Sequence, residues 1–286
     1  AACASSMAAI QSAVDGLRNG TFDVAISGGA DRSMGVPTYV KFSKIGALSA
    51  NLSAPFDERA DGFVMGEGCA VLVLKRLSDA QRDGNRIYAT IRSIGASSDG
   101  KGKGITAPNP KGQRLAIERA YEQAGINIET VDYFECHGTS TQVGDKVEAT
   151  VLADCTADGL KKPRLGSIKS NIGHLKSAAG AAALVKTSLS IYHKTLYATA
   201  NVEQPRSDIP LDKLHIQTTT EPWSCDGLRR AGVSAFGFGG TNFHVVLEEN
   251  AQTNVKSGTA AVLDLPTDIT YFSVSEHAKI LTTAKS

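Results

Sequence analysis

The feature that most restricts the fold is an alternation of short apolar runs with segments of helical period, repeated along most of the chain. Strand-like runs at 22–27, 68–74, 87–94, 131–136, 164–167, 230–236 and 242–248 are interleaved with helix-patterned stretches at 4–18, 78–83, 111–124, 144–154 and 178–193. The helical stretches place apolar residues three and four apart, as at Ile10, Ala13, Val14 and Leu17 before Asn19-Gly20, or Leu115, Ile117, Ala120 and Tyr121 before Gly125. Short apolar runs stopped by glycine, such as Phe22 to Ser27 before Gly28-Gly29, read as buried strands. Strands that alternate with helices specify an α/β fold with largely covered sheets. A length of 286 residues allows two compact units or one large one. After Glu249 the pattern lapses into a polar linker at 250–258, and a fresh strand at 269–274 and a helix start at 276–285 follow it.

Composition narrows the function. Lysine and arginine number 30 against 29 aspartates and glutamates, a net charge of +1 that gives no bulk reason to seek nucleic acid or an anionic membrane. The longest apolar runs, such as Ala178 to Val185, fall far short of the ~20 residues that span a bilayer. No basic segment followed by an apolar core opens the chain, so it carries no secretory signal pattern. Five cysteines without a CxxC pair suggest neither a disulfide framework nor a structural zinc site, and point to the cytoplasm. Glycine, at 28 residues, exceeds the usual ~7%, and the excess gathers at strand ends.

One nucleotide-site pattern fails on inspection. Gly95 to Lys101 matches the first seven positions of a P-loop, but the Ser or Thr that would hold magnesium is missing at the eighth. Gly102-Lys103-Gly104 follows instead, then Pro108 and Pro110, which are not expected to open a helix, so the segment reads as a surface loop. Gly62, Gly66 and Gly68 likewise miss the GxGxxG spacing.

Three residues stand where chemistry is usually built. Cys3 precedes a helix, whose N-terminal amides and dipole are expected to lower a thiol from its reference of about 8.5; the alternative is a buried structural cysteine. His137 ends a strand and enters Gly138-Thr139-Ser140-Thr141, and His174 closes the loop Ser167-Ile-Lys169-Ser170-Asn171-Ile-Gly173-His174. Each histidine taken alone reads more often as a structural hydrogen-bonding residue. Both, however, lie in loops after strands, beside glycines, where open α/β sheets form their sites. A metal bound by Cys and two His is disfavoured, because no acidic ligands cluster beside them and Lys169 would repel a cation.

Four motifs in this order resemble the β-ketoacyl synthases, the condensing enzymes of fatty-acid and polyketide assembly. They are Ala2-Cys3-Ala4-Ser5-Ser6, Glu135-Cys136-His137-Gly138-Thr139-Ser140-Thr141 with Gly144-Asp145 and Glu148, Lys169-Ser170-Asn171-Ile172-Gly173-His174, and Phe236-Gly237-Phe238-Gly239-Gly240-Thr241-Asn242. Ala54-Pro55-Phe56-Asp57, Asp61-Gly62-Phe63 and Gly66-Glu67-Gly68 also fit the family. The resemblance spans residues 1 to about 249 and implies an α/β fold of the thiolase-like, layered α/β/α/β/α type. It implies that Cys3 is an acyl-accepting nucleophile, and that His137 and His174 donate hydrogen bonds to the oxygen of a malonyl-type thioester. Lys169 would keep a neighbouring histidine in its tautomer and balance charge. The amides of Cys3 and Phe238 would form an oxyanion hole, Phe238 would gate acyl entry, and Thr139 and Thr141 would bind a phosphopantetheine arm. No tightly bound cofactor and no metal are implied. Acyl carrier protein, acyl and malonyl-type thioesters and a second copy in a homodimer are the implied partners.

Two departures sharpen the resemblance. Ala183 stands where stand-alone bacterial condensing enzymes have a glutamate, and the small residues around it look more like multidomain polyketide or polyunsaturated fatty acid synthases. The chain also begins two residues before Cys3, whereas family members carry a long stretch ahead of it. The expected organisation is therefore the remainder of a first thiolase-like half at 1–86, a whole second half at 87–249, and a linker with the start of a following region at 250–286. Exposed sheet edges and apolar surface are expected to accompany it. A degradative thiolase is the rival enzyme, but it would need a second cysteine where Gly239-Gly240-Thr241-Asn242 stands. The non-enzymatic alternative is a condensing-like partner protein or a dimerisation module.

Overall fold

The register of the apolar runs gathers most strands into one mixed sheet. A computed structural model describes residues 1–32, 34–101, 104, 107–156 and 161–251; the strand and helix expected at 269–285 lie outside them. In chain order the elements are α1 (Ser5–Arg18), β1 (Val24–Asp31), α2 (Val36–Lys44), β2 (Gly68–Lys75), α3 (Leu77–Arg82), β3 (Thr90–Ser98), α4 (Pro110–Ala124), β4 (Tyr133–Glu135) and α5 (Gln142–Cys155). There follow β5 (Arg164–Gly166), α6 (Lys169–Ile172), α7 (Ala179–His193), β6 (Thr195–Leu196), β7 (His215–Ile216), β8 (Glu221–Pro222), β9 (Arg230–Gly237) and β10 (Thr241–Glu248). The large sheet has the order β3-β10-β9-β4-β5-β7, while β1 pairs with β2 and β6 with β8.

Within the large sheet β9, β4, β5 and β7 run parallel, β10 is antiparallel to β9, and β3, antiparallel to β10, runs in the same direction as β9. Glu135 aligns with Gly166 and with Val233, so the C-terminal ends of β4, β5 and β9 open onto one edge. Loops leaving that edge carry His137, Lys169 with His174, and Phe238.

Each face of the sheet is covered by helices. On one side Met7 and Ile10 of α1 and Ala181, Ala183 and Leu184 of α7 pack with Val233, Ala235, Phe243 and Val245, and Leu72 and Leu74 of β2 approach the same cluster. On the other, Ile117, Ala120 and Tyr121 of α4 and Ala149 and Leu152 of α5 pack on Phe134, Leu165 and Val246. The α1–α7 layer therefore lies between the β1–β2 ribbon and the large sheet. Alanine suits α7 because it favours helix and is small enough for a segment buried on several sides. Ser6 Oγ accepts the Ala181 amide at 3.0 Å, fixing α1 against α7.

Several sequence expectations change. β1 does not stop at Gly28-Gly29 but runs through them to Asp31. The glycines are there for close approach: a Cβ on Gly29 would fall 2.8 Å from the Ser6 Cβ and 3.0 Å from the Ser177 carbonyl oxygen. β3 continues to Ser98 and absorbs Gly95, which pairs with His244, so the first half of the P-loop-like segment is strand and not loop. Pro110 does open a helix, because the first turn needs no proline N–H and Asn109 accepts the Lys111 amide at 3.1 Å. α2 has no sequence signal, its start being proline and β-branched residues with no buried face. The β1–β2 ribbon is covered on one face only: Ile26 and Val73 are 75% and 72% exposed, and Val24 and Val71 lie beside them. Among the described residues no helix is long and apolar enough to cross a membrane.

Candidate active site

The nucleophile candidate is set by a tight turn. Cys3 lies in the single 3-10 turn Ala2–Ala4 ahead of α1, after Ala2, whose φ of +48° is left-handed. Gly237 permits this turn to approach β9, since a Cβ there would stand 2.2 Å from the Ala1 carbonyl oxygen. Cys3 is buried, and burial pushes its thiol up in pKa, against backbone hydrogen bonds from Phe238 and from Cys3 itself and the charges of Lys169 and Lys176. The expectation of a lowered thiol is thus reversed. Desolvation outweighs the amides and lysines, and Cys3 rests as a thiol.

The two histidines face one another, their ring centroids 5.5 Å apart and nearly perpendicular. Cys3, His137, His174, Thr139, Thr141 and Phe238 all line one cavity of about 550 Å³. Both histidines are pushed well below their ordinary pKa by burial, then by the Lys169 charge, so each is a neutral imidazole. They are held differently. The His137 loop is gripped through its backbone, Glu148 accepting the amides of His137 at 2.7 Å and Gly138 at 2.8 Å. Its ring Nδ1 has no hydrogen-bond partner among the described residues. His174 Nδ1 instead accepts the Lys176 amide at 3.1 Å, which leaves the proton on Nε2 as a donor.

Thr139, Thr141 and Phe238 are brought to the same cavity, whose lining does not include Lys169. Thr139 and Thr141 pair at 3.1 Å between their hydroxyl oxygens. Ser140 between them, at φ +59°, accepts the Ala54 amide on its side chain at 2.9 Å and the Gly62 amide on its carbonyl at 2.7 Å. The segment from Ala54 to Gly62 thereby braces this loop. Phe238 is 43% exposed, and Gly240 closes a turn onto Gly237 at 3.0 Å, so the phenyl ring stands at the rim. Lys169 is buried; desolvation lowers its pKa, opposed by the charges of Glu135 and Glu148 and by Cys3 and Cys136. At His174 the tautomer is set by the Lys176 amide, and Lys169 acts there through its charge. Among the described residues no three His, Cys, Asp or Glu side chains are grouped as a metal site.

Comparison with known proteins agrees with this geometry. Residues 1–80 match the family model described as β-ketoacyl synthase, N-terminal domain, and residues 88–203 match the corresponding C-terminal domain. The chain belongs to the β-ketoacyl synthase family. Residues 205–279 match the ketoacyl-synthetase C-terminal extension. A polyunsaturated fatty acid synthase polypeptide of Thraustochytrium sp. is 44% identical over 262 residues, covering 87% of this chain and 9% of that protein. A phenolphthiocerol/phthiocerol polyketide synthase polypeptide of Mycobacterium tuberculosis is 41% identical over 265 residues, 90% of this chain and 14% of that one. The ketosynthase from module 6 of the bacillaene synthase of Bacillus subtilis superposes with a TM-score of 0.85 at 40% identity, covering 88% of this chain and 46% of its own. The chain thus spans a small part of these curated relatives and under half of that solved ketosynthase, and its fold is of the thiolase-like ketosynthase type.

Within this β-ketoacyl synthase chain some residues of the motifs had no role assigned from sequence. Ala183 is buried and brings no carboxylate, while Glu135 and Glu148 set negative charge about Lys169 from β4 and α5. Glu135 accepts the Ile168 amide at 2.6 Å and pairs with Lys186 at 2.7 Å, joining the histidine-bearing strand to α7. Glu148 and Asp145 are both pushed up to about 7 by burial, against the backbone amides that they accept. Those carboxylates belong to recognisable motifs, but their use as braces for main-chain loops depends on long-range packing.

Proposed function

We propose that this chain carries the catalytic centre of a β-ketoacyl synthase that performs decarboxylative Claisen condensation of carrier-bound thioesters. The observation that carries the reading is the shared cavity lined by a buried Cys3 and two neutral histidines. Cys3 Sγ attacks the acyl thioester carbonyl as its proton passes to the departing phosphopantetheine sulfur. The amides of Cys3 and Phe238 receive the tetrahedral oxyanion, a donor of this kind being worth on the order of 3 kcal/mol. The malonyl-type thioester then loses carbon dioxide, and the electrons of the broken C–C bond form an enolate. Nε2–H of His174, and His137 in its Nε2–H form, donate to the enolate oxygen. The enolate carbon attacks the acyl-Cys3 carbonyl, Cys3 leaves as thiolate and takes up one proton, and the β-ketoacyl chain stays on the carrier.

Lys169 balances the site's charge, Thr139 and Thr141 hold the phosphopantetheine arm, and Phe238 gates the acyl entrance. Acyl carrier protein, with its covalent phosphopantetheine, is the partner. The parent enzyme acts in the cytoplasm as a homodimer with no tightly bound cofactor. Peptide mass spectrometry after incubation with an acyl thioester tests the first step. Acylation confined to Cys3 and lost in Cys3→Ala is expected; labelling elsewhere sinks the proposal.

A further inference from the structure

The His174 loop is fixed by a buried ion pair that the family motifs do not include. Lys176 has a left-handed φ of +49°, a conformation that is strained for a residue with a Cβ and persists only where its surroundings impose it. Its side chain is 8% exposed, and Nζ donates to the Gly66 carbonyl at 2.9 Å and lies 3.2 Å from Asp31 Oδ1. Asp31, the last residue of β1, accepts the Ser177 hydroxyl on Oδ2 at 2.9 Å. Gly66 in turn donates its amide to the His174 carbonyl at 3.0 Å, and the His174 amide donates to Val64 at 2.8 Å. The circuit closes on the imidazole, whose Nδ1 accepts the Lys176 amide at 3.1 Å. A single lysine thus fixes the tautomer through its main chain, and through its side chain fixes the main chain that does so.

We infer that Asp31 and Lys176 are a positioning pair that holds His174 as an Nε2–H donor for the malonyl half-reaction. The inference rests on the condensing role proposed for the site, but the tautomer can be tested without it. The groups facing His174 are Lys169, Lys176 and Asp31, with the His137 ring at 5.5 Å and the apolar edge of Phe63 at 4.8 Å. Both lysines oppose a proton on Nδ1, and Asp31 favours one. Removing the Lys176 side chain takes away one of the two positive charges that oppose a proton on Nδ1 and releases the turn that presents the amide, and an Nδ1–H has no acceptor in that amide. Burying an ion pair gains little stability over an apolar pair, so positioning is the better account of retaining it here.

The test is ¹⁵N-histidine NMR of the protein between about pH 5.5 and 8, with decarboxylation of a malonyl thioester followed over the same range. In the wild type His174 is expected to stay Nε2–H throughout; an Nδ1–H form in the wild type overturns the inference without any variant. In Lys176→Met the His174 pKa is expected to rise, so that imidazolium grows in toward the acid end of this range, with decarboxylation falling there and recovering toward alkaline pH. Lys176→Arg should restore the wild-type tautomer and acid limb, and Asp31→Asn should broaden the His174 resonance without creating the imidazolium. A folded Lys176→Met with unchanged His174 signals and acid limb overturns the inference. If the wild type decarboxylates nothing while the His174 signals respond as described, the condensing role fails and the positioning pair stands.

Discussion

The two histidine loops are both held through the main chain and differ at the ring. Around His137 the backbone is braced, by Glu148 on two amides, and the ring Nδ1 is left without a partner among the described residues. Around His174 the ring itself is engaged, by the Lys176 amide, and is 1% exposed against Phe63. One donor is therefore set before substrate arrives, while the other has a fixed place but a free choice of tautomer. A pair built this way can present one permanent hydrogen bond to a thioester oxygen and let the substrate select the second. Neutrality is common to both, since burial and then Lys169 hold each imidazole uncharged.

The largest expected effects come from removing the rings. His174→Ala should lower malonyl thioester decarboxylation by on the order of 10²–10³-fold while Cys3 acylation changes little, because it deletes the preset donor. His137→Ala should lower decarboxylation by a similar or smaller factor. The comparison breaks if either substitution mainly abolishes acylation in a quench assay. Glu148→Ala comes next: with the amides of His137 and Gly138 left unpaired, the His137 signals in histidine NMR should broaden and stability in a melting experiment should fall by about 1–3 kcal/mol. His174 signals should hardly move, and an equal effect on both would show that the loops are one unit. The smallest effect is in pH dependence. Asp145 is raised to about 7 from its ordinary 3.8, so the folded protein holds a proton that the unfolded chain has released. Its contribution to stability is greatest below the unfolded value and declines as pH rises from about 4 to about 7. Asp145→Asn, which keeps an acceptor for the Phe56 amide, should lessen the fall of the melting temperature across that window, the part due to Glu148 remaining.

Much of this was legible in the sequence because the relevant signals are local. Glycine beside a strand end located the loops of His137, His174 and Phe238, and helical spacing located α1, α4 and α7 within a few residues. Where local reading failed, tertiary contact decided. Gly28-Gly29 read as a stop but serve as close-contact positions inside β1. Pro110 reads as a barrier but starts α4, where its missing N–H costs nothing. The helix after Cys3 predicts an acidified thiol, and burial reverses the sign. Asp31 and Lys176 lie 145 positions apart, a separation at which no periodicity or motif announces a contact. Glu148 carries no visible sign that its two oxygens will each take a backbone amide.

The central claim is that Cys3 and the two histidines couple loss of carbon dioxide to carbon–carbon bond formation. The most direct measurement is single-turnover release of carbon dioxide from a malonyl-type thioester on acyl carrier protein, added to protein acylated at Cys3, with the product mass read on the carrier. The expected result is one carbon dioxide for each β-ketoacyl chain formed, with both lost in His174→Ala although Cys3 remains acylated. Condensation without carbon dioxide, as in a thiolase exchange, or carbon dioxide release that persists in the His174→Ala and His137→Ala proteins, would contradict it.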